Sequence, residues 1–360
     1  MALDVEQLHE LLRFALHYGA SDLHLRAGDA PALRVSQDLA TLKLEKLSPA
    51  DTADVARIIL ASHGRAFEPA AIREVDVGYG VPGLARFRAH IYRQRGSIAL
   101  VLRVVPTTIP TFEALGLPAI LGRVAELPRG LILVTGATGS GKTTTLAAMI
   151  DHLNRSQRMH IVTIEDPIEF LHRNVHCAIS QREVGSDTES LQTALRAVLR
   201  EDPDVILVGE LRDYDSVDTA LKAAETGHTV LATLHTPDAI KSLHRLVALF
   251  PAEEQETARR RVNEAIEAIV SQRLVPRVDK AGRVAALEIL FATPAIREAL
   301  RDPQGLTRVR DLMERGRDQW GTQSFDQHLL ELLQAGLISR EDAIKNATSP
   351  SDLERVLLLA

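Results

Sequence analysis

The sequence predicts an α/β protein in which a small mixed domain precedes a larger domain built on a mostly parallel sheet. The first observation is a glycine-rich loop, Gly136–Thr143, between an apolar run and a helical pattern. The second is a series of short β-branched runs that alternate with helical stretches, which is typical of parallel sheets with helices on both faces. The third is a proline-rich stretch at 106–118, which indicates a linker. Together they predict domains at 1–105 and 119–360.

The N-terminal domain begins with an amphipathic pattern from Val5 to about Tyr18, which predicts a helix. Polar and apolar residues then alternate over Ser21–Arg26, as in a half-buried strand. Ser48 followed by Pro49 indicates the start of a second helix, because proline suits the first helical position. Further strands are predicted at Glu74–Tyr79, Leu84–Tyr92 and Ser97–Val105.

The larger domain shows the alternation of apolar strands and helices most clearly in its first half. Strands are predicted at Gly130–Thr135, His160–Ile164, Val205–Gly209 and Thr229–Thr233. From about residue 294 to the end the sequence is amphipathic and mainly helical. Ligands of such sheets bind at the carboxyl ends of the strands, so residues that directly follow each strand are the candidates for chemistry.

The loop GATGSGKT fits the pattern G-x-x-x-x-G-K-[ST], which wraps the phosphates of a nucleoside triphosphate. Glycines allow backbone N–H groups to turn inward, and the start of the following helix favours an anion. Lys142 is expected to bridge the β- and γ-phosphates of ATP, and the Thr143 hydroxyl to hold Mg²⁺. The predicted nucleotide-binding residues here are Gly136, Thr138, Gly139, Ser140, Gly141, Lys142, Thr143 and Thr144.

Two clusters of carboxylates follow predicted strands. Glu165, Asp166 and Glu169 come after His160–Ile164, and Glu210 ends the next strand. A carboxylate beside the loop can hold the Mg²⁺ shell, mostly through water, and a second one can orient and deprotonate the attacking water. The alternative is that each acid is only a polar cap on a buried strand.

Two histidines, His228 and His235, frame another predicted strand. Their spacing of seven places them on opposite faces of an extended run, which does not indicate a shared metal ion. Spacing alone leaves two possibilities open, a contact with the γ-phosphate or a structural role.

Arginines are concentrated on the later strands of the N-terminal domain, at Arg86, Arg88, Arg93, Arg95 and Arg103. Such a cluster is most often a solvated face. The functional alternative is an arginine that reaches a neighbouring subunit's nucleotide and stabilises the transferring phosphoryl group. That alternative requires a ring with active sites between subunits.

Composition narrows the function classes. The 360 residues carry a net charge of -6 and only 4% aromatic residues, which argues against a nucleic-acid translocase of the RecA type. The single cysteine, Cys177, excludes an intrachain disulfide and a four-cysteine zinc site. No apolar run is long enough for a membrane span and no signal-peptide pattern is present, so a cytoplasmic protein is predicted. A small-molecule phosphotransferase would need an acceptor site and a lid, and neither is recognisable.

Four motifs in order resemble those of the secretion-type ATPases, and specifically those of the twitching-motility pilus-retraction ATPases, the PilT and PilU family. GATGSGKT resembles the Walker A box, TIEDPIE the aspartate box, VILVGELRD a Walker B box that ends in Glu, and AAETGHTVLATLHT, at 223–236, the histidine box. Gly19–Leu25 and Ser271–Leu274 agree as well. The resemblance covers nearly the whole chain.

The resemblance implies a PAS-like N-terminal domain, a RecA-like P-loop ATPase domain and a hexameric ring. Glu169 is implied to be the catalytic base, supported by Glu165 and Asp166, while Glu210 belongs to the magnesium shell. His228 and His235 are implied to link nucleotide state to domain position.

For the N-terminal domain, the resemblance implies that Arg88 and Arg103 act on a neighbouring subunit's nucleotide, with Arg95 as a third arginine. The implied partner is a pilus platform protein of the inner membrane, at whose cytoplasmic face the motor would sit without a membrane segment of its own. Nucleic acid is not an implied partner.

The motifs identify the subfamily less clearly than the family. Pilus assembly motors and type II secretion ATPases usually carry an extra N-terminal region and in many cases a four-cysteine module, so the retraction type is favoured. Thr293–Arg301 matches only the A-I-R start of the retraction signature, and Gly321–Leu353 resembles the accessory paralogue at least as much as the main retraction motor. The main motor and a paralogous partner therefore both stay open.

Overall fold

The computed structural model describes residues 3–36, 38–64, 67–68, 71–280, 282–302 and 305–359. Contacts divide the chain into two compact units. The first unit comprises Met1–Thr108, Asp166–Leu171 and Arg182–Ser190, and the second comprises Ile109–Glu165, His172–Gln181 and Leu191–Ala360. The predicted α/β fold class is confirmed. No helix within the described ranges combines the length and apolar character that crossing a membrane requires.

In its described residues the first unit contains two helices and a six-stranded sheet in the order β3-β2-β1-β6-β5-β4, in which all neighbours are antiparallel. Its elements are α1 (Val5–His17), β1 (Asp22–Arg26), β2 (Ala32–Val35), β3 (Asp38–Thr41), α2 (Pro49–Ala61), β4 (Glu74–Val81), β5 (Ala85–Gln94) and β6 (Ser97–Val104). Both predicted helices and all four predicted strands are present. Strands β2 and β3 were not predicted, since four residues each carry too little periodicity. A PAS-like identity of this unit stays a prediction.

Side chains along β5 alternate between the core of the first unit and the opposite, polar face of its sheet. Phe87, Ala89 and Ile91 are fully buried in the core. Arg86 and Arg88 alternate with them and therefore project from the opposite face of the sheet. The alternation along β5 thus places Arg86 and Arg88 on the face of the sheet away from the core.

The second unit contains a seven-stranded sheet in the order β13-β12-β7-β11-β10-β8-β9. The four pairs from β12 to β8 are parallel, and β12 and β13 are antiparallel. Its strands are β7 (Gly130–Thr135), β8 (His160–Glu165), β9 (Ala178–Glu183, whose last two residues belong to the first unit), β10 (Val205–Val208), β11 (Thr229–Leu234), β12 (Ile266–Pro276) and β13 (Arg283–Phe291). The predicted strands are present, whereas β9, β12 and β13 were not predicted.

Helices surround this sheet and form the C-terminal part, as predicted. They are α3 (Ile120–Ala125), α4 (Lys142–Ser156), α5 (Leu191–Val198), α6 (Tyr214–Glu225), α7 (Ala239–Ala248), α8 (Gln255–Ala265), α9 (Pro294–Arg301), α10 (Leu306–Arg315), α11 (Arg317–Trp320), α12 (Phe325–Gln334), α13 (Arg340–Asn346) and α14 (Pro350–Leu359). Strand β7 is buried along its whole length, so the loop that follows it is attached to the core of the unit.

Candidate nucleotide-binding site

The phosphate loop joins the carboxyl end of β7 to the first turn of α4. Gly141 adopts φ 90° at the start of the helix, where an L side chain would be strained. Gly136 adopts φ 146°, and a Cβ there would lie 2.4 Å from the carbonyl oxygen of Gln272. Only glycine fits both positions, so the loop has the backbone shape that an anion nest requires.

Lys142 is buried beneath the loop. Its Nζ donates to the carbonyl oxygens of Gly136 and Ala137 at 2.9 and 3.0 Å, and it lies 3.4 Å from His235 Nδ1. The Ser140 hydroxyl is buried in the same loop and has no hydrogen-bond partner among the residues that the structure describes. Because buried polar atoms are normally paired, this orphaned hydroxyl fits a loop shaped to receive phosphate oxygens.

Glu210 and His235 lie beside Lys142, at the carboxyl ends of β10 and β11. His235 Nε2 is 3.3 Å from Glu210 Oε1, and Arg212 Nε donates to Glu210 Oε2 at 2.7 Å. An ammonium group can only donate, so a hydrogen bond from Lys142 to His235 Nδ1 requires the tautomer that carries its proton on Nε2, which faces Glu210. The structure therefore brings together three of the predicted site residues. Thr138 joins them through its hydroxyl, 3.5 Å from His235 Nδ1.

Gln272, on β12, supports the loop from the side of the sheet, although the sequence motifs assign it no role. Its side-chain amide donates to the Ser140 carbonyl at 2.7 Å and accepts from the Thr145 hydroxyl at 2.7 Å. The neighbouring Ser271 accepts from the Thr135 hydroxyl at 2.9 Å. These residues are 127 or more positions away from their partners, so no local pattern predicts the contacts. The resemblance at Ser271–Leu274 is the one sequence feature that drew attention to this strand.

The metal-binding prediction rests on Thr143 and Glu210. One hydroxyl and one carboxylate oxygen are donors that Mg²⁺ prefers, with water and phosphate oxygens completing its shell. Across the part of the chain that the structure describes, no group of three His, Cys, Asp or Glu side chains forms a metal cluster. The donor set thus fits a cation that is held jointly with a nucleotide.

The two predicted histidines lie at opposite ends of β11. Gly130, at the start of β7, donates its N–H to the carbonyl oxygen of His228, whereas Gly136, just beyond its end, donates to Leu234. His228 Nδ1 contacts the Ala223 carbonyl at 3.0 Å. The structure therefore brings His235, but not His228, to the phosphate loop of the same chain.

The aspartate box is divided between the two units. Glu165 belongs to the second unit, where it accepts hydrogen bonds from Thr163 and Gln181 at 2.6 and 3.1 Å. Asp166 and Glu169 belong to the first unit, although the sequence-based division at 106–118 assigns them to the larger domain. The side chain of Glu169 is about half exposed, and its carboxylate is accessible.

Asp22, Arg103 and Arg88 lie side by side on β1, β6 and β5, and we call them the arginine row. Arg103 Nε donates to Asp22 Oδ1 at 2.8 Å. Arg88 lies 3.6 Å from Asp76 Oδ1 and 4.0 Å from Glu169 Oε1. Like charges on directly opposed strand residues repel, so these carboxylates are needed to hold the two arginines together.

Asp22 is buried at one end of this row. Burial alone would raise its pKa, but hydrogen bonds from Ser21 and Arg103 and the charge of Arg103 hold the pKa below its ordinary value. Asp22 therefore stays ionised and anchors Arg103, whose side chain is 65% exposed. The sequence included Asp22 in a matching stretch without giving it this role.

Arg95 lies away from the row. It occupies the two-residue turn between β5 and β6 with φ 50°, followed by Gly96 with φ 82°. Seven residues separate Arg95 from Arg88, which amounts to roughly 20 Å along an extended strand. The structure does not bring Arg95 to the other predicted arginines.

Comparison with known proteins identifies the family. The sequence profile described as Type II/IV secretion system protein matches residues 88–343. The type IV pilus retraction ATPase PilT of Pseudomonas aeruginosa is 44% identical over 95% of this chain and 98% of its own length. The type IV pilus ATPase PilU of the same organism is 39% identical over 98% of this chain and 92% of its own.

A solved structure extends the similarity to the fold. The crystal structure of the pilus retraction motor PilT with bound ADP has a TM-score of 0.87 and 44% identity, and the match covers 98% of this chain and 99% of that one. The chain therefore belongs to the type II/IV secretion system protein family, together with the pilus ATPases PilT and PilU.

Proposed function

We propose that the chain is the ATP-hydrolysing subunit of a hexameric motor that powers type IV pilus retraction, the basis of twitching motility. The observation that carries the proposal is the preformed phosphate loop, whose Lys142 contacts His235, which in turn contacts Glu210. The near full-length similarity to a pilus retraction ATPase gives this nucleotide site its task.

Nucleotide binding follows from the contacts of Lys142. Its ammonium exchanges the two loop carbonyls for phosphate oxygens, while backbone N–H groups of the loop and the Ser140 hydroxyl complete the cradle. Thr143 and, through water, Glu210 would hold Mg²⁺, which would supply positive charge against the phosphates. His235, held between Lys142 and Glu210, is the residue whose contacts change with the nucleotide. Strand β11 connects it to His228, through which we propose that the nucleotide state is transmitted.

Hydrolysis needs a base and a source of positive charge. Glu169 is the proposed base for the attacking water, with Glu165 and Asp166 supporting it, because its carboxylate is accessible and already faces a cation. Arg88 and Arg103 are proposed to stabilise charge on the phosphoryl group of a neighbouring subunit's ATP, with Arg95 as a third, more peripheral arginine. The side chains of Arg88 and Arg103 are 36% and 65% exposed, so a ligand can reach both.

Work is proposed to come from domain movement in the ring. Nucleotide binding and release would change the angle between domains, and residues 106–118 would absorb the movement as a hinge. The cargo is a platform protein of the inner membrane, which the motor meets at the cytoplasmic face. A paralogous retraction ATPase is the proposed second partner.

The direction of pilus movement can be tested in the source organism. Deleting the gene should leave surplus surface pili that fail to retract, and twitching should return with the intact gene but not with Lys142→Ala. Absent pili after deletion would contradict retraction and indicate the alternative from the same family, an assembly or secretion ATPase. Strong stimulation of the purified ATPase by DNA would instead indicate a nucleic-acid translocase.

A further inference from the structure

Glu183, the last residue of β9, is a buried carboxylate with four donors around it; only 1% of the residue is exposed. Oε1 accepts from the backbone N–H of Gly78 at 2.8 Å and from the Ser186 hydroxyl at 3.2 Å. Oε2 accepts from the backbone N–H of Ile168 at 3.0 Å and lies 3.0 Å from Arg86 Nη2. One side chain thus joins the β4–β5 hairpin, the aspartate box and the turn after β9.

The ionised form of Glu183 is the one that these contacts stabilise. Burial alone would raise its pKa, but the Ile168 N–H, Arg86 and the Gly78 N–H hold the pKa below its ordinary value. A buried charge that loses a partner is strongly destabilising. The four contacts therefore resist separation far more than surface ion pairs would.

The segment held in this way carries Glu169. Residues 166–171 form neither a helix nor a strand, so their position depends on individual contacts. Ile168 is buried, and Leu171 donates its N–H to the Pro106 carbonyl at 3.1 Å. Glu169, between them, projects toward Arg88.

We infer that Glu183 is a positioning residue, which fastens the aspartate-box turn to the β4–β5 hairpin and thereby fixes the carboxylate of Glu169 beside Arg88. This inference rests on the proposed role of Glu169 as the base. The partners of Glu183 lie up to 105 positions away, so no local pattern reveals the contact.

Strand β4 offers a way to disturb Glu183 without changing any charge. A Cβ on Gly78 would lie 2.5 Å from Glu183 Oε1 and 2.4 Å from Arg86 Nη2, so Gly78→Ala must displace them. A Cβ on Gly80, two residues further on the same face, would meet only Arg86 Nη1 at 3.9 Å, an ordinary contact. Gly80→Ala is therefore the matched control. Glu183→Gln provides a second variant, and Glu189→Gln, exposed in the same segment, is its control.

The experiment uses the full chain and measures amide hydrogen exchange together with steady-state ATPase kinetics. In Gly78→Ala and Glu183→Gln, exchange at the Ile168 amide should accelerate at least about 10-fold, while exchange in the phosphate loop at 136–143 stays unchanged. The kcat should fall about 10-fold with KM changed less than about 2-fold, because misplacing a catalytic group affects turnover more than binding. Gly80→Ala and Glu189→Gln should match the parent protein.

Unchanged Ile168 exchange in either folded variant would overturn the inference. Loss of folding in both variants, with folded controls, would assign Glu183 to general stability and overturn it as well. Glu169→Gln separates the two proposals. If that variant keeps normal turnover while Gly78→Ala still accelerates exchange at Ile168, the anchoring stands and the base assignment fails.

Discussion

The phosphate loop and the arginine row are supported by different kinds of groups. Buried neutral side chains, Gln272 and Ser271, hold the loop through hydrogen bonds. Carboxylates hold the arginine row, and the side chain of Arg103 stays 65% exposed. The difference fits the proposal that the loop binds nucleotide within one chain, whereas the arginines act on the nucleotide of a neighbouring subunit. Variants in the two regions should therefore have different kinetic effects.

The largest effect is expected from the arginine row. The double variant Arg88→Ala, Arg103→Ala should lose about 10³-fold in kcat, since arginines that stabilise phosphoryl transfer contribute that much or more. Affinity for ADP should remain, because the phosphate loop is intact. Isothermal titration with ADP and a coupled ATPase assay measure the two quantities. An equal loss of both would show that the two regions do not act separately.

Glu169→Gln should reduce kcat about 10²-fold or more, since the amide cannot accept the proton of water. ATP should still bind, so the variant should retain nucleotide in a filter-binding assay. The exposed Glu189→Gln serves as the control. A Glu169→Gln variant with normal turnover would remove this residue from the role of base.

Gln272→Leu should act on binding more than on turnover. It leaves the buried Ser140 carbonyl and Thr145 hydroxyl unpaired, and such a loss weakens the loop by about 1–3 kcal/mol. We expect about 10-fold weaker ADP binding with a smaller change in kcat. Gln334→Leu, at an exposed end of α12, is the control. A fall in kcat with unchanged ADP affinity would contradict the support role.

The smallest effect should be on thermal stability, whose pH dependence should have opposite signs for one carboxyl group in each unit. Burial raises the pKa of Glu288, on β13, to about 7, with the Ala239 N–H opposing and Asp238 adding to the shift. Between about pH 4 and pH 7 the folded chain holds a proton on Glu288 that the unfolded chain has released. The contribution of Glu288 to the free energy of unfolding is therefore fully present below about pH 4 and is lost as pH rises through 7. The lowered pKa of Asp22 acts in the opposite way, since its stabilisation is present above about pH 4 and is lost as pH falls.

Thermal unfolding at pH 5 and pH 8 checks this difference. Glu288→Gln should raise the Tm at pH 8 more than at pH 5, because the amide avoids a buried charge. Asp22→Asn should lower the Tm equally at both pH values, since Asp22 is ionised at both. If Glu288→Gln lowered the Tm by the same amount at both values, its carboxyl would not titrate in this range.

Most of the site residues that lie within continuous sequence motifs could be predicted. Lys142, Glu210 and His235 each follow a recognisable strand, and the parallel sheet brings the ends of those strands together. The supporting residues Gln272, Asp22 and Glu183 were missed because each acts on a partner many positions away. His228 directly precedes β11, as the predicted strand boundaries imply, and it therefore lies at the amino end of the strand, away from the phosphate loop.

The central claim is that each active site is shared between the phosphate loop of one subunit and the arginine row of the next. Mixing inactive Lys142→Ala protein with inactive Arg88→Ala, Arg103→Ala protein tests it directly. In randomly mixed rings about a quarter of the interfaces would combine an intact loop with intact arginines, so ATPase activity should return. No recovery at any mixing ratio, with mixed rings demonstrated by native mass spectrometry, would contradict the shared site.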